Sequence, residues 1–364
     1  MSNQPRVYEL KEVHFEITDL CPHACKHCST GLIDPAKTRM LDYSQAISII
    51  DNIAVIPGNP KVIHLTGGEP LSHPRVADII SHIASKNIIP SMFTTGYNAR
   101  VDGDKKIVSF LNKDDWDALI DSELEEIVFS VHSANPTIQQ DILQIDDSEC
   151  LNKQFEAMAY LAHRDISVKI NCVPMHPTFD YIEDVILRAK KNGVCEVRFL
   201  RFVNQGNARN NPELAMDRDL QIMVSQIIRE LHIKHQSRDF SVVTEGHPQV
   251  MKCRPFQFMA DGCQAGISLA HINLDGDVLG CPAFKQKPEY FAGNVGDTPL
   301  SQIWHDSIVF WNLRVMQQAN LDQPCKSCKA WYMCYGGCTA QRSWNNETIY
   351  SSPDPVCPMG TEKI

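Results

Sequence analysis

The stretch "TDLCPHACKHCSTG", residues 18–31, sets Cys21, Cys25 and Cys28 at spacings of four and three residues in a tight polar loop. What those thiols can do depends on compartment. The N-terminal "MSNQPRVYELKEVHFEI" has neither a cationic n-region nor an apolar h-region, and no later stretch approaches the roughly 20 apolar residues of a membrane span, so a cytoplasmic protein is expected. In a reducing cytosol 14 cysteines are not a disulfide framework, and clustered ones read as metal or cluster ligands. They are clustered: beside the first three, Cys253, Cys263, Cys281, Cys325, Cys328, Cys334, Cys338 and Cys357 crowd the last third, and only Cys150, Cys172 and Cys195 stand apart. A net charge of -10 offers no broad basic surface, which argues against nucleic acid as a partner.

The strand-like runs "VHFEIT" (13–18), "KVIHLT" (61–66), "IPSMFTT" (89–95), "EEIVFSV" (125–131), "SVKINCV" (167–173) and "EVRFLRF" (196–202) are short and rich in β-branched and aromatic residues. Segments such as "DYSQAISIIDNIAVI", "RVADIISHIASK" and "DYIEDVILRAKK" between them carry apolar residues at helical spacing. Six βα units in series predict an α/β fold with a parallel sheet, flat or curved into a partial barrel, whose chemistry gathers at the C-terminal strand ends. The cysteine loop directly follows the first strand. A helical stretch, roughly 217–235, precedes a change of texture after about 250 to Cys, Gly, Pro and Trp, which predicts a small domain held by metal rather than by a large core.

Structural zinc wants four closed ligands, commonly as two CxxC-type pairs, whereas Cys21, Cys25 and Cys28 are three from one loop; His23, His27 or a distant residue could complete a zinc site. Three thiolates on a cubane cluster instead leave one iron open to a small molecule. C-x3-C-x2-C in this position resembles the signature of the radical S-adenosylmethionine (SAM) enzymes. That resemblance implies a 4Fe-4S cluster whose open iron chelates SAM, and a 5'-deoxyadenosyl radical that takes a hydrogen atom from substrate. His27 stands where the family usually carries an aromatic residue against the adenine. "LTGGEP", Leu65 to Pro70, resembles the family's GGEP motif at the end of the second strand. Gly67 and Gly68 would allow close approach of a ligand and bare their amides to the cofactor's amino acid end; Glu69 would receive an ammonium or cap local backbone. Thr95 in "FTTG", Ser130 on the fourth strand, Asn171 on the fifth and Arg201 on the sixth match positions where relatives contact the cofactor.

The later spacing, C-x2-C-x5-C-x3-C from Cys325 to Cys338 followed by Cys357, with Cys263 and Cys281 upstream, resembles the SPASM extension, which holds two auxiliary 4Fe-4S clusters in relatives. Carried over, Cys325, Cys328, Cys334 and Cys357 hold the outer cluster, and Cys263, Cys281 and Cys338 the inner one, with Cys253 a candidate fourth ligand. A pair of zinc sites is the bland alternative. The expected architecture is a partial (β/α)6 TIM-like barrel over 1–235, a linker over 236–252 and a SPASM domain over 253–364, with three 4Fe-4S clusters and SAM as cofactors.

The resemblance implies oxidative modification, foremost cross-linking, of a ribosomally made peptide, with the auxiliary clusters accepting an electron and a flavodoxin or ferredoxin as reductant. Because the cysteine loop arrives by residue 21, no leader-binding winged helix is expected before it, and a separate leader-binding protein is a possible partner. Pro282 stands where sulfatase-maturing relatives carry an aspartate. The alternative is a dehydrogenase or epimerase acting on a small molecule such as a sugar or nucleoside, in natural-product biosynthesis. Epimerisation needs a thiol in the cavity from Cys172 or Cys195, and the alternation in "KINCV" turns Cys172 outward. His64, His132 and His176, as lone histidines at strand ends, are read as satisfied structural groups. A noncatalytic electron carrier or zinc module is disfavoured by the GGEP segment.

Overall fold

In a computed structural model the structure describes residues 8–31, 37–58, 60–103, 105–245, 263–316, 318–329, 331–346, 348–351 and 353–357. Strand β1 (Glu12–Thr18) sets the pattern of the whole barrel: Val13, Phe15 and Ile17 are fully buried in the apolar core, while Glu12, His14 and Glu16 alternate onto the other face, toward the lumen. All six predicted strands are present, as β1, β2 (Val62–Gly67), β3 (Ile89–Thr94), β6 (Glu126–Ser130), β7 (Ser167–Cys172) and β8 (Glu196–Leu200), parallel and in that order. Between β3 and β6 a hairpin of β4 (Tyr97–Asp102) and β5 (Lys105–Phe110), not anticipated from sequence, forms its own antiparallel pair.

Helices α1 (Tyr43–Ala54), α2 (Val76–Ala84), α3 (Lys113–Asp121), α4 (Pro136–Leu143), α5 (Cys150–Ala162), α6 (Ile182–Lys191) and α7 (Arg218–His235) each bury an apolar stripe. Their starts are chemically specified: Asp42 and Asn112 make capping boxes, and Asn135 caps α4 ahead of Pro136.

Two expectations need correction. The segment assigned to a linker contains β9 (Ser241–Glu245), which pairs in parallel with β8 and extends the barrel sheet. Nor does the C-terminal part stand apart on metal alone. Its β10 (Leu269–Ile272) pairs in parallel with β1, and β11 (Asp277–Leu279) and β12 (Phe291–Asn294) continue the same sheet antiparallel. The apolar faces of α8 (Leu300–Asp306) and α9 (Ile308–Arg314), through Ile303, Trp304 and Phe310, join the barrel's core cluster. The cysteine-bearing end, with α10 (Trp331–Cys334) and α11 (Thr339–Asn346), follows. None of the described cysteines is disulfide-bonded. No described helix is long and apolar enough to cross a membrane.

Candidate active site

The loop from Cys21 to Cys28 leaves β1 at the barrel mouth and is fixed from several directions. Asn207 donates from its amide to the Cys28 carbonyl (2.8 Å) and from its side chain to the Cys25 carbonyl (2.9 Å). Lys106 on the β4–β5 hairpin donates to the Cys21 and Pro22 carbonyls, each at 3.2 Å. Gly206 sits at φ +59° with no room for a side chain: a Cβ there would lie 2.4 Å from the Ser29 carbonyl oxygen. Gly206 and Asn207 follow β8 in "NQGNARN", and sequence reasoning passed over them; a Gly-Asn pair just past the end of a barrel strand is the signal that could have found them.

Burial pushes the Cys21 thiol up to about 12, with the Glu69 carboxylate and Cys28 adding to the rise; Cys25 is raised well above the ordinary range by burial, then by Cys21 and Cys28. Thiols so reluctant to ionise, and so close that each hinders the next, fit a site that takes cationic iron. Three thiolates on one zinc, each at about 2.3 Å, would lie within about 4 Å of one another. Among the described residues no three cysteines bring their sulfurs within 4.8 Å of one another, and three thiols from one loop suit a cluster that leaves one iron open.

The other predicted residues divide. His27 lies with its ring 4.2 Å from that of His132 between centroids. Burial lowers His27 to about 4, and His132 well below its usual value, so both rings are neutral. His132 Nδ1 accepts from the Val173 amide (3.2 Å), so its proton is on Nε2, and that atom has no hydrogen-bond partner among the described residues. The same is true of His27 Nδ1, of Asn171 Oδ1, and of both polar atoms of the fully buried Gln205, the residue before Gly206. His132, expected to be satisfied, is therefore not. Buried polar atoms rarely stay unmet, and this set matches a ligand rich in donors and acceptors, as a nucleoside is. Ser130 ends β6 in register with Asn171, and its carbonyl accepts from Gln139 (3.2 Å) and Gln154 (3.3 Å).

In the GGEP segment the amide of Gly68 is not bared: it donates to the Thr18 carbonyl (2.6 Å), and the Glu69 amide donates to the Leu20 carbonyl (2.9 Å). A Cβ on Gly67 would fall 2.1 Å from Thr18 O, and one on Gly68 2.5 Å from Leu20 O. The close approach these glycines allow is therefore to the chain entering the cysteine loop. Glu69, 2% exposed, accepts from Thr94 Oγ1 (2.7 Å), from the Thr95 amide and hydroxyl (2.8 Å each) and from the Leu71 amide (3.3 Å). It caps local backbone. Thr95 also meets His23 Nε2 at 2.8 Å, which locks Thr95 into this network. Arg201, expected at the cofactor, forms a buried ion pair with Asp354 at 2.6 Å through Nη1, because its guanidinium meets the carboxylate that the C-terminal end delivers to it.

At that end burial pushes the Cys334 thiol up to about 11, and Cys325, Cys357 and Cys328 are its thiol neighbours that add to the rise. Burial likewise raises Cys338 to about 11, with Cys263 as its thiol neighbour. The fold thus brings together the four residues of the expected outer set, and two of the inner set. Cys281 opens the 282–284 turn, whose Ala283 amide points at its Sγ (3.4 Å). From the end of that turn Lys285 pairs with buried Glu16 and donates to Thr30 (3.2 Å), two residues past Cys28, joining the inner cysteine segment to the first loop. Cys253 lies outside the described residues.

A parallel partial barrel with three thiols at its mouth, continued by a cysteine-rich extension in the same sheet, is the architecture expected of a radical SAM protein. The Radical SAM superfamily model matches residues 15–189, and the SPASM model, an iron-sulfur cluster-binding domain, matches 263–329. Over those residues the chain carries a radical SAM domain followed by a SPASM domain. It is similar to the PqqA peptide cyclase of Gluconobacter oxydans, 23% identical over 349 residues that span 94% of this chain and 89% of the relative. The PqqA peptide cyclase of Ruegeria pomeroyi is 24% identical over 355 residues, 94% and 85% of the two chains. Streptococcus suis SuiB bound to S-adenosylmethionine shares the fold with a TM-score of 0.73 at 15% identity, over 96% of this chain and 78% of that one. The anSMEcpe protein with bound AdoMet and Cp18Cys peptide shares it at 0.66 and 13%, over 96% and 94%.

Proposed function

We propose that this chain is a radical SAM maturase that oxidatively modifies, foremost cross-links, a ribosomally made peptide. The observation that carries the reading is the near end-to-end match to relatives named PqqA peptide cyclase. A SuiB structure with precursor peptide SuiA bound shares the fold at a TM-score of 0.72. Cys21, Cys25 and Cys28 would hold a cluster that supplies an electron to SAM, while Cys325, Cys328, Cys334 and Cys357, and Cys263, Cys281 and Cys338, would hold auxiliary clusters able to accept an electron from the substrate.

The chain's own residues do the positioning. Asn207, Gly206 and Lys106 hold the cysteine loop rigid. His27, His132, Asn171 and Gln205 offer unmet polar atoms to the nucleoside, in a buried space where stray water would quench a radical. Arg201 with Asp354, and Lys285 with Glu16, hold the auxiliary cysteines against the barrel. The epimerase alternative loses its thiol: Cys172 is buried in the apolar core, and Cys195, just before β8, points at the Val168 carbonyl (3.3 Å).

The test is metal content and the visible spectrum of anaerobically reconstituted protein, beside a variant with Cys21, Cys25 and Cys28 changed to Ala. On cubane stoichiometry about twelve irons per chain, falling by about four in the variant, are expected. With reductant, SAM and a precursor peptide encoded beside this gene, the peptide should lose two hydrogen atoms. Colourless protein holding only zinc would overturn the reading.

A further inference from the structure

Well below the mouth, one layer of the barrel lumen is polar where such barrels ordinarily stack branched aliphatic side chains. Neighbouring strands place His271, His14, His64, Ser91 and Glu126 in a single register row, and Glu12 lies two residues before His14 on the same face. Glu12 Oε1 is 2.7 Å from His14 Nε2 and 3.3 Å from His64 Nε2, and the three atoms lie within 4.8 Å of one another. Both rings are held in orientation by Phe93, stacked on His64 at 4.6 Å and edge-on to His14 at 5.0 Å.

Proton placement makes this more than a hydrogen-bonded cluster. The Glu126 carboxylate, paired with Lys169, can only accept, so Ser91 Oγ donates to it (3.2 Å). With its proton spent, Ser91 Oγ accepts from His64 Nδ1 (2.8 Å). The neutral ring then carries a lone pair on Nε2, aimed at a carboxylate oxygen. His64 is 3% exposed, so bulk water does not reach between the facing atoms. Two acceptors facing each other beside a second imidazole are what a cation between them resolves. A donor to the far nitrogen is also how metal-binding histidines have their tautomer fixed.

We propose that Glu12, His14 and His64 form a site for one divalent transition-metal ion, separate from the cysteine groups, with Ser91 and Glu126 setting the His64 tautomer. A set of two imidazoles and one carboxylate suits zinc or ferrous iron and leaves coordination positions for water. The site cannot share the cluster iron: His14 is four residues before the end of β1, about 13 Å along the strand, and the cysteine loop begins beyond that. The side chain of Glu12, 29% exposed, offers an ion entry from the opposite end of the barrel.

Zinc is the probe, because cluster iron would mask bound iron. Anaerobically reconstituted holoenzyme is incubated with zinc sulfate and passed over chelating resin. Zinc and iron are counted, and the zinc shell is read by X-ray absorption. About one zinc per chain with only nitrogen and oxygen neighbours is expected in the wild type, falling at least tenfold in His14→Ala/His64→Ala and weakened in Glu12→Gln, with iron unchanged. Should the double variant misfold, the wild-type shell still decides. No retained zinc, zinc with sulfur neighbours, or full retention in a folded double variant each overturns the site.

Discussion

Arg201, one residue past β8, and Asp354, three residues before Cys357, form an ion pair at 2.6 Å whose side chains are 6% and 7% exposed. Asp354 Oδ2 also accepts from the Cys338 amide (2.7 Å), and its Oδ1 from that of Val356 (3.0 Å). One carboxylate therefore ties the barrel to a backbone that presents two of the C-terminal cysteines. Asp354→Asn leaves the guanidinium buried and uncompensated, a loss of about 3–5 kcal/mol. The expected outcome is a lower melting temperature and loss of auxiliary-cluster iron, while the Cys21, Cys25 and Cys28 set still loads. Wild-type iron in the variant would count against the tie.

Gly206→Ala should act on the other cluster. The added methyl meets backbone at 2.4 Å and the position has positive φ, so the chain around Cys28 must move. About four irons per chain should be lost on cubane stoichiometry, along with SAM cleavage, while the auxiliary spectrum persists.

Most of the fold was legible because each barrel strand is a short β-branched run with one wholly apolar face, as Val13, Phe15 and Ile17 show. The β4–β5 hairpin escaped because its exposed residues carry no such face, although the Asp-Gly at 102–103 marks its turn. The cysteine groups were legible by spacing. What could not be read is what depends on chain meeting chain: Arg201 finding Asp354 across 153 residues, or Gly68 packing on the backbone of Leu20. His132 was misjudged for a related reason, since whether it is satisfied depends on partners contributed by other strands.

Glu69 predicts a pH dependence. Burial raises its pKa from 4.5 to about 7 against the four hydrogen bonds it accepts. The folded state therefore holds a proton that the unfolded chain has released between those values, so this group's contribution to stability falls as pH rises from about 4.5 to about 7. The span corresponds to about 3 kcal/mol. Glu69→Gln should flatten the slope of stability against pH in that window, while losing about 1–3 kcal/mol overall because an amide nitrogen now faces donors. Denaturant unfolding of apoprotein at several pH values checks both, and an unchanged slope in the variant would refute the assignment.

Arg342 on α11 is fully buried, and its Nε and Nη1 have no hydrogen-bond partner among the described residues. Burial lowers its pKa, opposed by Cys263, Cys325, Asp354 and Cys338, so the guanidinium is near cysteines of both expected auxiliary sets. A buried positive charge there favours whichever cluster state carries the extra electron, and its unmet donors face sulfur-rich surroundings. Arg342→Gln should lower at least one auxiliary reduction potential by tens of millivolts and slow substrate oxidation more than uncoupled SAM cleavage, which needs only the first cluster. Redox titration by electron paramagnetic resonance, in a background lacking Cys21, Cys25 and Cys28, isolates the auxiliary signals. A residue that merely fills space would change iron content or stability and leave the potential of the loaded clusters where it was.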